Sequence, residues 1–191
     1  AVVLAEFDGL HVPNANGETP LINDDPTKPN EKYFLFVDSL IDLANQYHLN
    51  IALLPTWGDK VFKDKWGAGP EIFNDQNAGV YAAWLANRYK DKTNIIWILG
   101  GDRIPRGETD KNVWRAMGTA IKKVTNNKGI ISFHPQPNSF GSAEYFQHDS
   151  WIDFHMFQTG HYRDGNVYDK MQSVYNMQPT KPVMDAEPIY E

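Results

Sequence analysis

Two acidic side chains, each just beyond an apolar run, are placed so that they could act as a pair. Asp102 follows an apolar run and two glycines in NIIWILGGDRIP, and Glu187 follows a second run in VMDAEPIYE. Asp185 has the same parity as Glu187, so both are expected on one side of a strand. Carboxyl groups from separate strand ends are what glycoside hydrolysis requires, because one protonates the leaving oxygen and the other attacks or activates water. Salt bridges to Arg103 and Lys181 are the structural alternative.

Polar and aromatic side chains also follow the other apolar runs. If the runs are parallel strands, their ends share one face, where these side chains would surround a substrate. The predicted substrate-binding residues are Glu6, Asp8, Trp57, Trp66, Arg103, His134, Gln158, Asp185 and Tyr190. Trp57 and Trp66 are candidates for a sugar-stacking platform, with core packing as the equal alternative. Arg103 is expected to orient Asp102, to bind a substrate carboxylate or to form a structural ion pair, and the two glycines before Asp102 to make room for a sugar.

The elements that must position these residues follow from hydrophobic periodicity. Strands are predicted over residues 2–7, 50–57, 95–99, 129–134, 151–158 and 182–186. Helices are predicted over residues 31–48, 75–90, from a cap at Thr109 or Asp110 to 124, over 142–147 and over 167–177. In the last helix Val167, Met171 and Val174 are expected to point inward. Strand and helix therefore alternate five times, which predicts an α/β fold with a parallel sheet covered by helices.

The favoured architecture is the (β/α)₈ TIM barrel, which usually needs about 250 residues. Six strands are visible, so we expect a fragment that covers about strands 2 to 7. Residues 1–191 would then be one partial catalytic domain, truncated at both ends. An open doubly wound sheet of six strands is the alternative. Against it, no Gly-rich phosphate loop follows the first strand, and candidate residues follow many strands rather than one switch point.

Composition narrows the classes of partner. The formal net charge of −6 and the pI near 5.5 argue against nucleic acid or an anionic membrane as a partner. No run of 18 apolar residues is present, so no membrane span is predicted. The absence of cysteine excludes disulfides, a thiol nucleophile and Cys-based metal sites. The chain opens on AVVLAEF without an initiator Met, which indicates a mature or truncated piece.

A metal-dependent hydrolase is the competing chemistry. Six histidines and many acids could supply ligands. However, no HExxH motif is present and no His-x-His pair follows the first strand. His155 and His161 lie six residues apart, which is a weak signal. We therefore predict neither a metal nor another cofactor; the metal alternative would be favoured only if His and Asp side chains converge with ligand geometry.

Three motifs taken together, AEFDGLHVPNANGETPL, WILGGDRIP and VMDAEPIYE, resemble the apiosidase-like glycoside hydrolases, glycoside hydrolase family 140. The resemblance extends over residues 4–191. It implies a retaining (β/α)₈ glycosidase with its acid/base at the end of strand 4 and its nucleophile at the end of strand 7. If the first visible strand is counted as strand 2, Asp102 falls on strand 4 and Glu187 on strand 7. The resemblance therefore implies that Asp102 is the acid/base and Glu187 the nucleophile.

The same resemblance implies a carbohydrate substrate, namely a terminal sugar such as apiose on plant pectin side chains, cleaved by a bacterial enzyme in the periplasm or outside the cell. It also implies a further C-terminal β-rich domain in the full-length protein. Retention would need carboxyl groups about 5–5.5 Å apart, and inversion about 6.5–9.5 Å. The alternatives are an endo-acting barrel glycanase of the cellulase-like clan, a metal-dependent barrel hydrolase and a non-catalytic carbohydrate-binding barrel.

Overall fold

The computed structural model describes residues 1–64, 67–160 and 166–188. The strands in these ranges are β1 (Val2–Leu4), β2 (Ile51–Thr56), β3 (Ile95–Gly100), β4 (Ile131–His134), β5 (His155–Gln158) and β6 (Val183–Glu187). The α-helices are α1 (Glu31–Gln46), α2 (Asp75–Tyr89), α3 (Glu108–Val124), α4 (Ala143–Phe146) and α5 (Val167–Tyr175), and a 3₁₀ turn, Gly58–Lys60, follows β2. None of these helices is long and apolar enough to cross a membrane.

All strand pairs in the described ranges are parallel and follow chain order. Strands β1 to β4 form one sheet, and β5 pairs with β6. Strand β5 follows β4 in space, because Ser132 Oγ donates to the Phe154 carbonyl oxygen at 2.7 Å and Asp153 N donates to the Ile131 carbonyl oxygen at 2.8 Å. Sequential order is the topology of a (β/α)₈ barrel segment, as predicted. The open doubly wound alternative, whose strand order reverses, is wrong.

Side-chain caps precede α1, α2 and α5, and each of these helices begins at its predicted residue; in α5 the Asn166 side chain accepts from Asp169 N. The Asn30 side chain accepts from Lys32 N at the start of α1, and Asn74 and Asn77 form a reciprocal capping box at the start of α2. The predicted cap of α3 is wrong, because the helix begins at Glu108 without a side-chain cap. The Asp110 carboxylate instead accepts hydrogen bonds from the backbone and guanidinium of Arg106.

Strands β1 and β5 are shorter than predicted. The first ends at Leu4, and Phe7 lies in a turn with a φ of 56°. Strand β5 begins only at His155, although Trp151 and Ile152, which the prediction included in it, are buried. Their apolar character therefore reflects core packing rather than strand pairing. Of the three α5 residues expected to point inward, only Val174 is buried.

Helices α2 and α3 pack beside each other and bury their apolar faces against the sheet. Tyr81 and Leu85 of α2 and Met117 and Ile121 of α3 are completely buried. An aromatic chain extends this core toward α4 with ring centroids 4.9–5.5 Å apart, through Trp114, Phe133, Phe146 and Trp151. These edge-to-face pairs join α3, β4 and α4 in one aromatic cluster.

Two helical glycines test this packing. A Cβ on Gly118 would lie 2.4 Å from the Trp151 ring, whereas a Cβ on Gly79 would meet nothing closer than 3.8 Å. We expect Gly118→Ala to lower the free energy of unfolding by about 1–3 kcal/mol through overpacking. Gly79→Ala should raise it by about 0.5–1 kcal/mol, because alanine is the better helix former. Urea unfolding of the full-length protein measures both; equal effects of the two substitutions would contradict the packing.

Candidate active site

The turn after β3 places Asp102 at the mouth of the sheet. Gly100, Gly101 and Asp102 all have positive φ, at 92°, 107° and 51°. A Cβ on Gly100 would lie 2.5 Å from the His134 carbonyl oxygen, and one on Gly101 would lie 2.8 Å from the Trp57 ring. The prediction that these glycines make room for a sugar is therefore wrong. They allow the left-handed turn and the close approach of β4 and the indole.

Asp102 meets side chains from two neighbouring strands. Its Oδ1 accepts from Gln158 Nε2 at 2.5 Å and lies 3.2 Å from His134 Nδ1. Gln158 Nε2 also donates to the Pro135 carbonyl oxygen at 2.7 Å, and its contact with His134 Nδ1 is longer, at 3.3 Å. Because an amide has two N–H groups, the shorter contacts use both. His134 Nδ1 is thus available to donate to Asp102.

Glu187, the last residue of β6, reaches the same group. His134 Nε2 lies 3.8 Å from Glu187 Oε2. One carboxylate oxygen of Asp102, one of Glu187 and one His134 ring nitrogen all lie within 4.8 Å of one another. The structure therefore brings together the two predicted catalytic acids, with the imidazole between them.

A second set of contacts fixes the end of β6. Thr159 Oγ1 donates to Asp185 Oδ2 at 2.5 Å, and Glu187 N donates to Asp185 Oδ1 at 3.4 Å. Thr159 N also donates to the Glu187 carbonyl oxygen at 3.1 Å. The register shifts here, with Phe157 opposite Asp185 and Gln158 opposite Glu187. This irregularity breaks the strict alternation on which the predicted shared side of Asp185 and Glu187 rested. Thr159 was missed from the sequence.

Arg103 holds Asp102 by its backbone. Its side chain is 2% exposed, and Nη1 donates to the Asp102 carbonyl oxygen at 2.7 Å. Nη2 lies 4.0 Å from Glu6 Oε1. A Cβ on Gly67 would lie 2.6 Å from Nη2, so the glycine makes room for the guanidinium. The geometry is that of a structural and orienting residue. The Lys181 ammonium donates to the backbone oxygens of Asp149 and Ile152.

Of the other predicted binding residues, some contact this group of side chains. Glu6 lies at the edge of the group beside Arg103, and the partly buried Trp57 packs its ring on Gly101. The exposed carboxylate of Asp8 pairs with His11, with Oδ1 2.6 Å from Nδ1. Trp66, His161 and Tyr190 lie outside the described residues.

The environments of Glu6 and Asp102 shift their pKa values in opposite directions. Burial raises the pKa of Glu6, and the charges of Asp59 and Asp102 add to this, although Arg103 opposes it. Burial also raises the pKa of Asp102, but the hydrogen bond and charge of His134 and the hydrogen bond from Gln158 bring it below its ordinary value. Asp102 is therefore held ionised in the unliganded site, opposite to the state that a proton donor needs.

The same side chains could hold a divalent cation. Asp102, His134 and Glu187 each offer one ligand atom, and these atoms are close enough to share one ion. Two carboxylate oxygens and an imidazole nitrogen form a donor set suited to zinc. The convergence of His and Asp side chains that the metal alternative requires is thus present within the described ranges.

Comparisons with known proteins cover nearly the whole chain. The family model described as "Apiosidase-like, catalytic domain" matches residues 1–191. A solved glycoside hydrolase family 5 structure from Bacteroides vulgatus is 31% identical, with a TM-score of 0.80, and the match covers 96% of this chain and 41% of that one. A second structure, called glycoside hydrolase, is 31% identical with a TM-score of 0.79, covering 100% and 44%. The chain thus spans less than half the length of either structure. No curated protein matches it.

The hydrogen bond from Gln158 predicts the behaviour of Asp102. Because the Gln158 amide stabilises the ionised carboxylate, we expect Gln158→Met to raise the pKa of Asp102 relative to the unchanged protein. ¹³C NMR titration of the side-chain carboxyls measures this, with Asp102→Asn to assign the signal. Gln147→Met is the control, since the Gln147 amide donates to the Pro179 carbonyl oxygen and not to a carboxylate. An unchanged or lower pKa in Gln158→Met would contradict the assigned contact.

Proposed function

The chain belongs to the apiosidase-like catalytic-domain family, and on that premise we propose that it forms part of a glycosidase that acts by retaining double displacement. One observation carries the proposal: carboxylates from the ends of β3 and β6 converge around one imidazole, within 4.8 Å of each other. Glycosidases need two such groups facing one anomeric carbon. The resemblance of both solved structures to this chain supports the same class of activity.

In the first step, the Glu187 carboxylate attacks the anomeric carbon and the glycosidic C–O bond breaks. Asp102 gives its proton to the departing oxygen, so the leaving group departs as a neutral alcohol. In the second step, Asp102 takes a proton from water while the water oxygen bonds to the anomeric carbon. The ester bond to Glu187 breaks, and both carboxyl groups return to their starting states. Two inversions at one carbon give net retention.

The separation of the acids supports this mechanism over single displacement. A retaining pair lies about 5–5.5 Å apart, and an inverting pair about 6.5–9.5 Å, because the latter must admit a water molecule. The nearest oxygens of Asp102 and Glu187 lie within 4.8 Å. An approach this close between single oxygens favours the shorter separation of a retaining pair.

The lowered pKa of Asp102 requires a source for its proton. We assign this to His134, whose Nδ1 lies 3.2 Å from Asp102 Oδ1 and whose Nε2 lies 3.8 Å from Glu187 Oε2. The imidazole thus has one proposed catalytic carboxylate at each ring nitrogen. When a glycosidic oxygen sits against Asp102, a proton moves from Nδ1 to Oδ1 and then to the leaving oxygen. The proton that Asp102 takes from water in the second step returns to Nδ1, so Asp102 and His134 both recover their starting states. Glu187 remains ionised for attack.

The substrate itself is proposed from the family resemblance. We propose apiose as the released sugar and plant pectin side chains as its source, with Glu6 and Trp57 at the edge of the sugar site. Location in the periplasm or outside the cell, a bacterial origin and a further C-terminal β-rich domain belong to the same proposal. An endo-acting glycanase would cleave within the polymer and release oligosaccharides instead.

Metal-dependent hydrolysis is the second candidate, because Asp102, His134 and Glu187 approach as ligands do. In that mechanism a bound cation would activate water, and the two acids would be ligands rather than donor and nucleophile. The two candidate mechanisms therefore differ in whether activity requires a bound cation at these three residues.

Substitution of each acid separates the roles. We expect Asp102→Asn and Glu187→Gln to lower turnover of an unactivated glycoside by about 10²–10⁴-fold. Asp102→Asn should retain most of its glycosylation rate on a nitrophenyl glycoside, whose leaving group needs no proton, and azide should rescue its turnover.

Asp42→Asn and Glu144→Gln, both exposed, are the controls for these two substitutions. Full activity of both acid variants would move catalysis elsewhere or indicate a sugar-binding protein. The full-length protein and a panel of pectin glycans are the material.

Chelation separates the two candidate mechanisms. We expect the full-length protein to keep its glycosidase activity after dialysis against EDTA, because neither proposed step uses a cation. Added Zn²⁺ should inhibit by occupying the two carboxylates and the imidazole, and EDTA should reverse this inhibition. If EDTA abolishes activity and a divalent cation restores it, the metal-dependent candidate replaces the first.

A further inference from the structure

We propose that Phe7 is a stacking platform for the sugar ring, held out at the rim of the site by a buried ion pair. The inference rests on the proposed glycosidase function and names a substrate contact for that same site. Phe7 follows β1 and is 57% exposed. Because the carboxyl ends of the parallel strands meet at one edge, the residue lies on the same side of the sheet as Asp102 and Glu187.

The backbone of Phe7 adopts a conformation that its residue type disfavours. Its φ is 56°, in the left-handed region. Every other described non-glycine residue with positive φ is Asn, Asp or His, types that tolerate this region. A bulky aromatic there is a genuine outlier. Such strain persists where the surrounding structure enforces it, and it concentrates at ligand-binding positions.

The enforcing contacts come from Asp59 and Lys60, two charged side chains that are completely buried. Phe7 N donates to Asp59 Oδ2 at 3.1 Å, and Lys60 Nζ donates to the Phe7 carbonyl oxygen at 2.8 Å. The two charges pair with each other at 2.9 Å, and Lys60 Nζ also donates to the Gly69 carbonyl oxygen at 2.9 Å. Both polar groups of the strained residue are therefore fixed. Asp59 Oδ2 also accepts from Ala68 N and Gly69 N, both at 3.3 Å, so the buried pair is itself held in place by the neighbouring loop.

The strain does not serve burial of the ring. A phenyl side chain held in the core would gain from leaving water, but this ring stays largely in solvent. The strained backbone therefore leaves the ring available to a ligand at the rim of the site. A phenyl ring carries no hydrogen-bonding group, so it recognises an apolar face, such as the C–H face of a sugar ring.

The neighbouring residue connects this ring to the reacting groups. Glu6 precedes Phe7, and its Oε1 lies 4.0 Å from Arg103 Nη2. The same guanidinium donates through Nη1 to the Asp102 carbonyl oxygen. A sugar on Phe7 would thus have the Glu6 carboxyl nearby for its hydroxyl groups. The Arg103 side chain contacts both Glu6 and Asp102, so it connects this part of the site to the proposed acid/base.

Kinetics and stability together test the platform. In the full-length protein we expect Phe7→Ala and Phe7→Gly to raise KM about tenfold for the glycoside that the unchanged protein cleaves best, with kcat within about twofold. Phe7→Tyr should keep the original KM, because the ring is retained. Phe7→Gly should also raise Tm, since glycine relieves the left-handed strain. Phe140→Ala removes another exposed phenyl group and should leave KM unchanged.

The outcomes distinguish this inference from the proposed function. If the unchanged protein cleaves glycosides but the Phe7 variants keep its KM, the platform is wrong and the glycosidase proposal stands. If Phe7→Gly lowers Tm and KM stays the same, the ring packs against another part of the protein, which also overturns the inference. If the unchanged protein cleaves no glycoside in the panel, both proposals fail together.

Discussion

The contact of Asp102 with His134 and Gln158 is the interaction on which the candidate site depends, because it joins the ends of β3, β4 and β5. The left-handed turn at residues 100–102 brings the carboxylate to this junction. Thr159 then extends the junction to β6 by bonding both the Asp185 side chain and the Glu187 backbone. The distance between the two acids is therefore set by contacts among four neighbouring strands.

Electrostatics explains how similar carboxyl groups in one site can have different tasks. Glu6 is desolvated, which raises its pKa, whereas Asp102 accepts hydrogen bonds that lower its own. Neighbouring acids in the site therefore differ in how readily they give up a proton. His134 contacts both proposed catalytic acids, so it links the ends of β3 and β6 through one side chain.

Much of the fold and the central pair could be predicted because their signals are local. Mainly apolar runs marked all six described strands, and the acids after the third and sixth runs are the ones that converge. Long-range contacts explain the rest. Trp151 was predicted in a strand because it is apolar, but it is apolar because its ring packs in the core against Gly118. Phe7 looked like the last strand residue, since nothing in the local sequence shows that Asp59 and Lys60 hold it in a left-handed turn.

The stereochemistry of the released sugar tests the central claim most directly. ¹H NMR spectra recorded in the first minutes of hydrolysis, before mutarotation, show which anomer forms first. If Glu187 attacks and Asp102 supplies and then removes the proton, the first product has the anomeric configuration of the substrate. If the first product has the opposite configuration, a single displacement by water has occurred, and the account of the two acids is wrong.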